Sequence, residues 1–220
     1  MYSFAQRNDT IVVDEPYYGA YLSKSNIDHP GKDEILKQME TNFGKISQTI
    51  VEWNQSPIYF VKNMAHHLLS RKVDFIEKFQ NVFLIRNPYQ LIASFAQVIP
   101  NPTMHDIGLK HEYDLHQSLV ANNNDPIVID AAVLLKKPKY ILIALCEHLD
   151  IPFDNTMLSW KKGGIKEDGC WAKYWYKNVH KSTSFIQQKT SSRLLPQRCE
   201  PLYDEAKYYY EELSKYSLKA

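Results

Sequence analysis

The chain has 220 residues, 44% of them hydrophobic and 23% charged, which is the composition of a globular protein and argues against disorder. Its 26 Lys and Arg against 25 Asp and Glu leave a formal charge of +1. That balance gives no support to nucleic acid or an anionic membrane surface as partner, although a local basic pocket is compatible with it.

No apolar run approaches a bilayer span, which excludes an integral membrane protein. The opening MYSFAQRNDT has no apolar core or cleavage site, so no signal peptide is read. Cys146, Cys170 and Cys199 are odd in number and far apart, as reduced thiols of a cytoplasmic protein would be. The seven glycines form neither G-x-x-x-x-G-K-S/T nor G-x-G-x-x-G, so a complete Walker or Rossmann fingerprint is absent.

In chain order, Thr10-Ile11-Val12-Val13 reads as a strand ending in the turn-like Asp14-Glu15-Pro16. A carboxylate at a strand's C-terminal end can act as a general base, or it can cap the next helix, and the residue pattern favours the cap. Lys32–Met39 has helical character. Ile58-Tyr59-Phe60-Val61 is a second strand, and it delivers Lys62 to its end, with His66 and His67 in a following helix. A lysine there can meet developing negative charge and a histidine can accept a proton, whereas His67 reads as a half-buried structural residue. No second pair of ligating residues accompanies the histidines, so no metal site is read.

Val82-Phe83-Leu84-Ile85 is a third strand, followed by Arg86, the cap residue Asn87 and a helix from Pro88 to Val98 that carries Ser94. Helix N-termini at strand ends collect anions, and an Arg with a hydroxyl could bracket a phosphate. An ion-paired Arg and a packed Ser fit the pattern equally well. Ile127-Val128-Ile129 is a fourth strand, and Lys137–Leu149 is another crossover helix. The four apolar runs suit strands buried on both faces of a parallel sheet, which makes a three-layer αβα domain the expected fold. Residues 160–171 gather three glycines with Lys161, Lys162 and Lys166, as either a phosphate-covering or a solvated loop. Composition favours the solvated one. Pro201 opens a final amphipathic helix. The organisation expected is one α/β domain over 1–185 with a helical appendage of the same domain over 186–220.

Taken together, VVDEPYYGAYL, YFVKNMAHHLL, VFLIRNPYQLIASFAQVI, VIDAAVLLKKPKYILIALCEHLDIPF and MLSWKKGGIKEDGCWAKYWYKNVHKSTSF resemble the sulfotransferase family, in its bacterial and plant branch. The resemblance implies a P-loop NTPase-like fold and transfer of a sulfuryl group from the co-substrate 3'-phosphoadenosine-5'-phosphosulfate (PAPS) to a small-molecule hydroxyl or amine. It implies that Arg86 and Ser94 bind the 3'-phosphate and that Lys161, Lys162 and Gly163 begin a loop over it, with Gly169 later than the usual spacing. Glu15 corresponds to the base of one branch, and Lys62 with His66 more loosely to the pair of another. In plants a similar domain is fused to an aminotransferase-like region, which nothing here resembles.

The family's first strand and phosphosulfate loop have no counterpart ahead of Met1. The expectation is therefore an N-terminally truncated chain, inactive as it stands, with a non-catalytic binding module that keeps the 3'-phosphate half-site as the alternative. The sequence leaves the acceptor and the oligomeric state open. Tyr17, Tyr18, Trp171, Tyr174 and Trp175 could line an acceptor pocket, but core packing suits their spacing better.

Overall fold

Two parallel strand pairs organise the chain, which has the expected α/β architecture. A computed structural model describes residues 1–25, 29–68, 73–187 and 193–219. The contacts divide into two units: 1–71 with 154–185, and 72–153 with 186–220. Each unit therefore takes chain from both sides of the other, and the residues after 185 belong to the second.

In the first unit, β1 (Thr10–Asp14) pairs in parallel with β2 (Ile58–Lys62), and Asp14 stands opposite Lys62 in the register. A parallel pair needs a long crossover, and the connection here holds three helices. They are α1 (Tyr18–Leu22), α2 (Lys32–Gln38) and α3 (Phe43–Val51). Gly31 opens α2 at φ 78°, where a Cβ would meet the Tyr174 ring at 2.6 Å, so glycine is required twice over. Asn42 caps α3 by accepting from the Lys45 amide at 3.1 Å. Tyr18, Leu22, Ile35 and Trp171 form a buried cluster.

In the second unit, β3 (Val82–Ile85) pairs in parallel with β4 (Ile127–Asp130). Their crossover carries α4 (Pro88–Phe95), α5 (Met104–Ile107) and α6 (Leu109–Ala121). After β4 come α7 (Ala131–Lys136) and α8 (Pro138–His148), and the C-terminal α9 (Glu200–Ser214) returns to the same core. Ile85, Ile92, Leu109, Leu119, Val128 and Leu213 are its most enclosed large apolar residues. Each such side chain contributes roughly 1.5–3 kcal/mol through burial.

Strand burial departs from the expectation of two covered faces. Only β4 is buried at every position; β3 alternates, with Val82 40% and Leu84 55% exposed, and every residue of β2 is half-buried. An apolar run cannot say which faces the tertiary packing covers. Among the described residues no helix is long and apolar enough to cross a membrane.

Candidate functional site

Four strand ends carry the polar chemistry, as open α/β sheets favour. At the end of β1 the backbone turns sharply. Glu15 sits at φ 44°, a left-handed conformation that costs a non-glycine residue of order 1 kcal/mol. Its amide donates to the Lys62 carbonyl at 2.7 Å, and its carbonyl accepts from the Tyr18 amide at 2.9 Å. The turn therefore locks Glu15 against the end of β2. No side chain caps α1, so Asp14 and Glu15 are not capping residues, contrary to what the residue pattern favoured.

Asp14 and Glu15 are 6% and 5% exposed. Lys62 Nζ donates to Glu15 Oε1, lies 3.4 Å from Asp14 Oδ1, and donates to the Tyr176 hydroxyl at 2.7 Å. That hydroxyl in turn donates to Asp14, at 2.8 and 2.9 Å from the two carboxylate oxygens, with Glu15 Oε1 at 3.2 Å. Two carboxylates thus share one lysine and one phenol in a nearly dry setting. Burial pushes the Glu15 carboxyl up from its ordinary value while the neighbouring Lys62 charge pulls it back. Burial and the two carboxylates hold the Tyr176 phenol protonated at any physiological pH.

The histidines divide differently from the sequence reading. Residues Ala65–Leu68 form a tight 3-10 turn that sends adjacent side chains in different directions. His67 goes inward to 4% exposure, stacks on Tyr18 at 4.6 Å between ring centroids, and brings Nδ1 within 3.9 Å of Glu15 Oε2. Burial, with the nearby cations, keeps it neutral. His66 stays half-buried, and its ring meets Tyr21 and His67 edge-on. The histidine beside Glu15 is therefore His67. Tyr17, Tyr18 and Trp171 are core, while Tyr174 and Trp175 are about 40% exposed.

Lys161 and Lys162 are exposed on the glycine-rich loop, which is anchored at both ends. Before the lysines, the Trp160 amide donates to the Thr183 carbonyl at 2.9 Å. Gly163, at φ 115°, donates to the His180 carbonyl at 2.9 Å. Asp168 gathers the Tyr2 hydroxyl at 2.6 Å, the Ile165 amide at 3.2 Å and His180 Nε2 at 2.9 Å. The Gly169 amide then donates to Asp14 at 3.3 Å, which ties the loop to the acidic cluster. A loop held this way is a framed element of the first unit, with Lys161, Lys162, Gly164 and Lys166 in solvent.

In the second unit, Arg86 leaves β3 half-buried, and Asn87 caps α4 by accepting from the Gln90 amide at 3.4 Å. Ser94 lies on α4 and accepts from Arg193 Nη1 at 3.3 Å. Burial and the Arg193 charge together pull the Arg86 guanidinium below its ordinary value. The structure therefore brings Glu15 together with Lys62, and Arg193 onto Ser94, with the Arg193 charge felt at Arg86.

Sequence reading missed Tyr176 and Arg193. Tyr176 offered one faint signal, its place in an aromatic run close after the glycine-rich loop. Arg193 offered none, because nothing local marks an arginine that returns to a helix 99 residues earlier.

A family model described as a sulfotransferase domain matches residues 1–213. The chain belongs to the sulfotransferase family. Branched-chain-amino-acid aminotransferase-like proteins 1 and 2 of Arabidopsis thaliana are similar to it, at 38% and 36% identity over 213 residues, 93% of this chain. The chain spans 38% of the length of each. Among solved structures, a sulfotransferase domain from the curacin biosynthetic pathway is similar at 15% identity and TM-score 0.44, covering 91% of this chain and 78% of that one.

Proposed function

We propose that the protein transfers a sulfuryl group from PAPS to the hydroxyl or amine of a small-molecule acceptor. The observation that carries this reading is the Glu15–Lys62 pair at the adjoining ends of two parallel strands, backed by Asp14 and Tyr176. The donor supplies an activated sulfuryl group whose leaving group is a phosphate. The chain's residues supply the rest. Glu15 takes the acceptor's proton as the acceptor attacks sulfur, and its burial keeps it basic enough for that task. Lys62 stabilises the negative charge on the oxygen between phosphorus and sulfur as that bond breaks. Asp14 and Tyr176 hold Lys62 in place from its other side. Lys161, Lys162 and the Gly163 turn add positive charge for an anionic donor. Arg86 and Ser94 are the residues of the second unit suited to a phosphate such as the 3'-phosphate. Glu15 is preferred to His66 as the base because the lysine is on Glu15, while the ring of His66 is engaged with Tyr21 and His67.

Transfer of radiolabel from PAPS to a panel of alcohols, phenols, sugars and amines tests this reading. Turnover that disappears in Glu15→Gln, with adenosine 3',5'-bisphosphate still bound, is the expected result. Binding with no transfer to any acceptor would leave the non-catalytic binding module as the better reading.

A further inference from the structure

The two oxygens of the Glu15 carboxylate have different neighbours. Oε1 accepts from Lys62 and lies 3.2 Å from the Tyr176 hydroxyl, whereas Oε2 faces His67 Nδ1 across 3.9 Å. The His67 side chain is 1% exposed, and its Nδ1 is buried with no hydrogen-bond partner among the described residues. Its ring is gripped by three others: it stacks on Tyr18 at 4.6 Å and on Tyr21 at 5.0 Å, and His66 meets it edge-on at 4.6 Å. Glu15 is fixed as well, by its left-handed turn against the end of β2.

A buried polar atom without a partner is costly, so one held this firmly calls for a use. The distance indicates which ring nitrogen carries the proton. An Nδ1–H aimed at a buried carboxylate would make a charge-assisted bond at about 2.7–2.9 Å. A lone pair on Nδ1 and a carboxylate oxygen are both acceptors, with no proton to share, and stand apart as they do at 3.9 Å. Burial, helped by the charges of His66, Lys62 and His29, keeps the ring neutral, so the lone pair is on offer and the ring proton is on Nε2. Around the pair, Asp14, Lys62 and Tyr176 face Glu15, and Tyr18, Tyr21 and His66 surround His67. What the pair lacks is a proton on Glu15.

We propose that His67 is a positioning residue for Glu15: once Glu15 has taken the acceptor's proton, its Oε2–H donates to the His67 Nδ1 lone pair. One proton moves, from the acceptor's hydroxyl or amine to the carboxylate, as the acceptor forms its bond to sulfur. Oε1 already accepts from Lys62, so Oε2 receives the proton, and rotation about the carboxyl C–O bond turns it to Nδ1. His67 keeps its Nε2 proton and only accepts a hydrogen bond. That bond favours the protonated carboxyl, which makes Glu15 the stronger base and holds the collected proton away from Lys62. This role deepens the function proposed above and rests on it for the source of the proton, whereas the Glu15–His67 bond is readable without turnover.

Nitrogen NMR of the His67 ring and carboxyl NMR of Glu15, followed across pH on the full chain, test it. The expected result is a bare Nδ1 and a protonated Nε2 at neutral pH, with the Nδ1 signal moving at the Glu15 midpoint. In His67→Phe the Glu15 midpoint should fall by roughly half to one pH unit, the scale of one lost hydrogen bond. His67→Asn sets an amide oxygen where Nδ1 stood and should recover part of that fall. A packing role predicts the reverse order, because phenylalanine keeps the ring and asparagine leaves a cavity. A protonated Nδ1 in the wild type at neutral pH overturns the proposal whether or not either variant folds, and so does an unchanged Glu15 midpoint in folded His67→Phe. In the PAPS assay His67→Phe should lower kcat roughly 2- to 10-fold with KM little changed. Transfer by the wild type with an unchanged midpoint in His67→Phe keeps the sulfuryl-transfer reading and removes the role of His67. A midpoint that falls in His67→Phe, in a chain that transfers to no acceptor, keeps the Glu15–His67 bond and removes that reading.

Discussion

The Tyr176 hydroxyl stands 2.8 Å from Asp14 Oδ1 across 162 residues of chain, and it accepts from Lys62 at 2.7 Å while donating to that carboxylate. One phenol therefore closes the gap between a strand end and the segment after the glycine-rich loop. It also gives Asp14 a neutral donor, so that Lys62 need not serve both carboxylates equally.

Tyr176→Phe removes that donor and acceptor with little change of shape. A hydrogen bond to a buried charge is worth about 1.5–3 kcal/mol, and a loss of that size is expected in the stability of the variant. Urea unfolding followed by tryptophan fluorescence measures it. A midpoint equal to wild type would mean that the bond is not formed in solution.

The Glu15 carboxyl titrates above its ordinary value of 4.5, with burial raising it and Lys62 opposing the rise. Activity that needs the ionised carboxylate must therefore increase with pH through a midpoint above 4.5. Lys62→Met removes the opposing charge, so the Glu15 titration should move higher still. Carboxyl-detected NMR reads this without turnover, and a downward move would contradict the arrangement.

His67 is neutral in the fold, its pKa held well below 6.5 by burial first and then by His66, Lys62 and His29. The unfolded chain binds the proton more readily than the native one. The His67 contribution is thus intact above about pH 6.5 and is lost as pH falls below it. Glu15 runs the opposite way: its raised pKa means that stability is lost as pH rises above 4.5. His67→Phe keeps a ring against Tyr18 and removes the titration, so its melting temperature should fall less than wild type's between pH 7 and pH 5. Parallel pH curves for the two proteins would rule the effect out.

Asp130 ends β4 and does two jobs. Oδ1 accepts from the Ala132 and Val133 amides at 2.7 and 3.2 Å, capping α7, and Oδ2 accepts from the Tyr210 hydroxyl of α9 at 2.5 Å. Asp130→Ala should cost about 1 kcal/mol for the cap. The stranded phenol should cost a further 1–3 kcal/mol or so. Tyr210→Phe should cost only the hydrogen bond. Equal destabilisation by the two changes would show that the cap contributes nothing.

Much of the local structure was legible in the chain. The runs Thr10–Val13, Ile58–Val61, Val82–Ile85 and Ile127–Ile129 each became a strand, at most one residue longer than read. Asn87 and Pro88 marked the start of α4, and Pro201 lies in the first turn of the last helix. Helix α6 was missed because its polar LKHEYDLHQSLVA pattern has a weak apolar stripe and takes its place from packing on β3 and α9. The choice between cap and base at Asp14-Glu15 could not be made locally. It turned on a left-handed turn at Glu15 that only the hydrogen bonds to Lys62 and Tyr18 hold in place.

Composition and local pattern by themselves determined the α/β class, the strand-end positions of Asp14, Lys62 and Arg86, and the family resemblance, since each is written in contiguous residues. Tertiary structure alone decided which strand faces are covered, which of two adjacent histidines turns toward Glu15, and that Tyr176 and Arg193 come back to Asp14 and Ser94. The reason is one of range. Side-chain periodicity reports the environment of one element, whereas a contact across 99 or 162 residues is set by how elements pack, which neighbouring residues mark faintly at Tyr176 and not at all at Arg193.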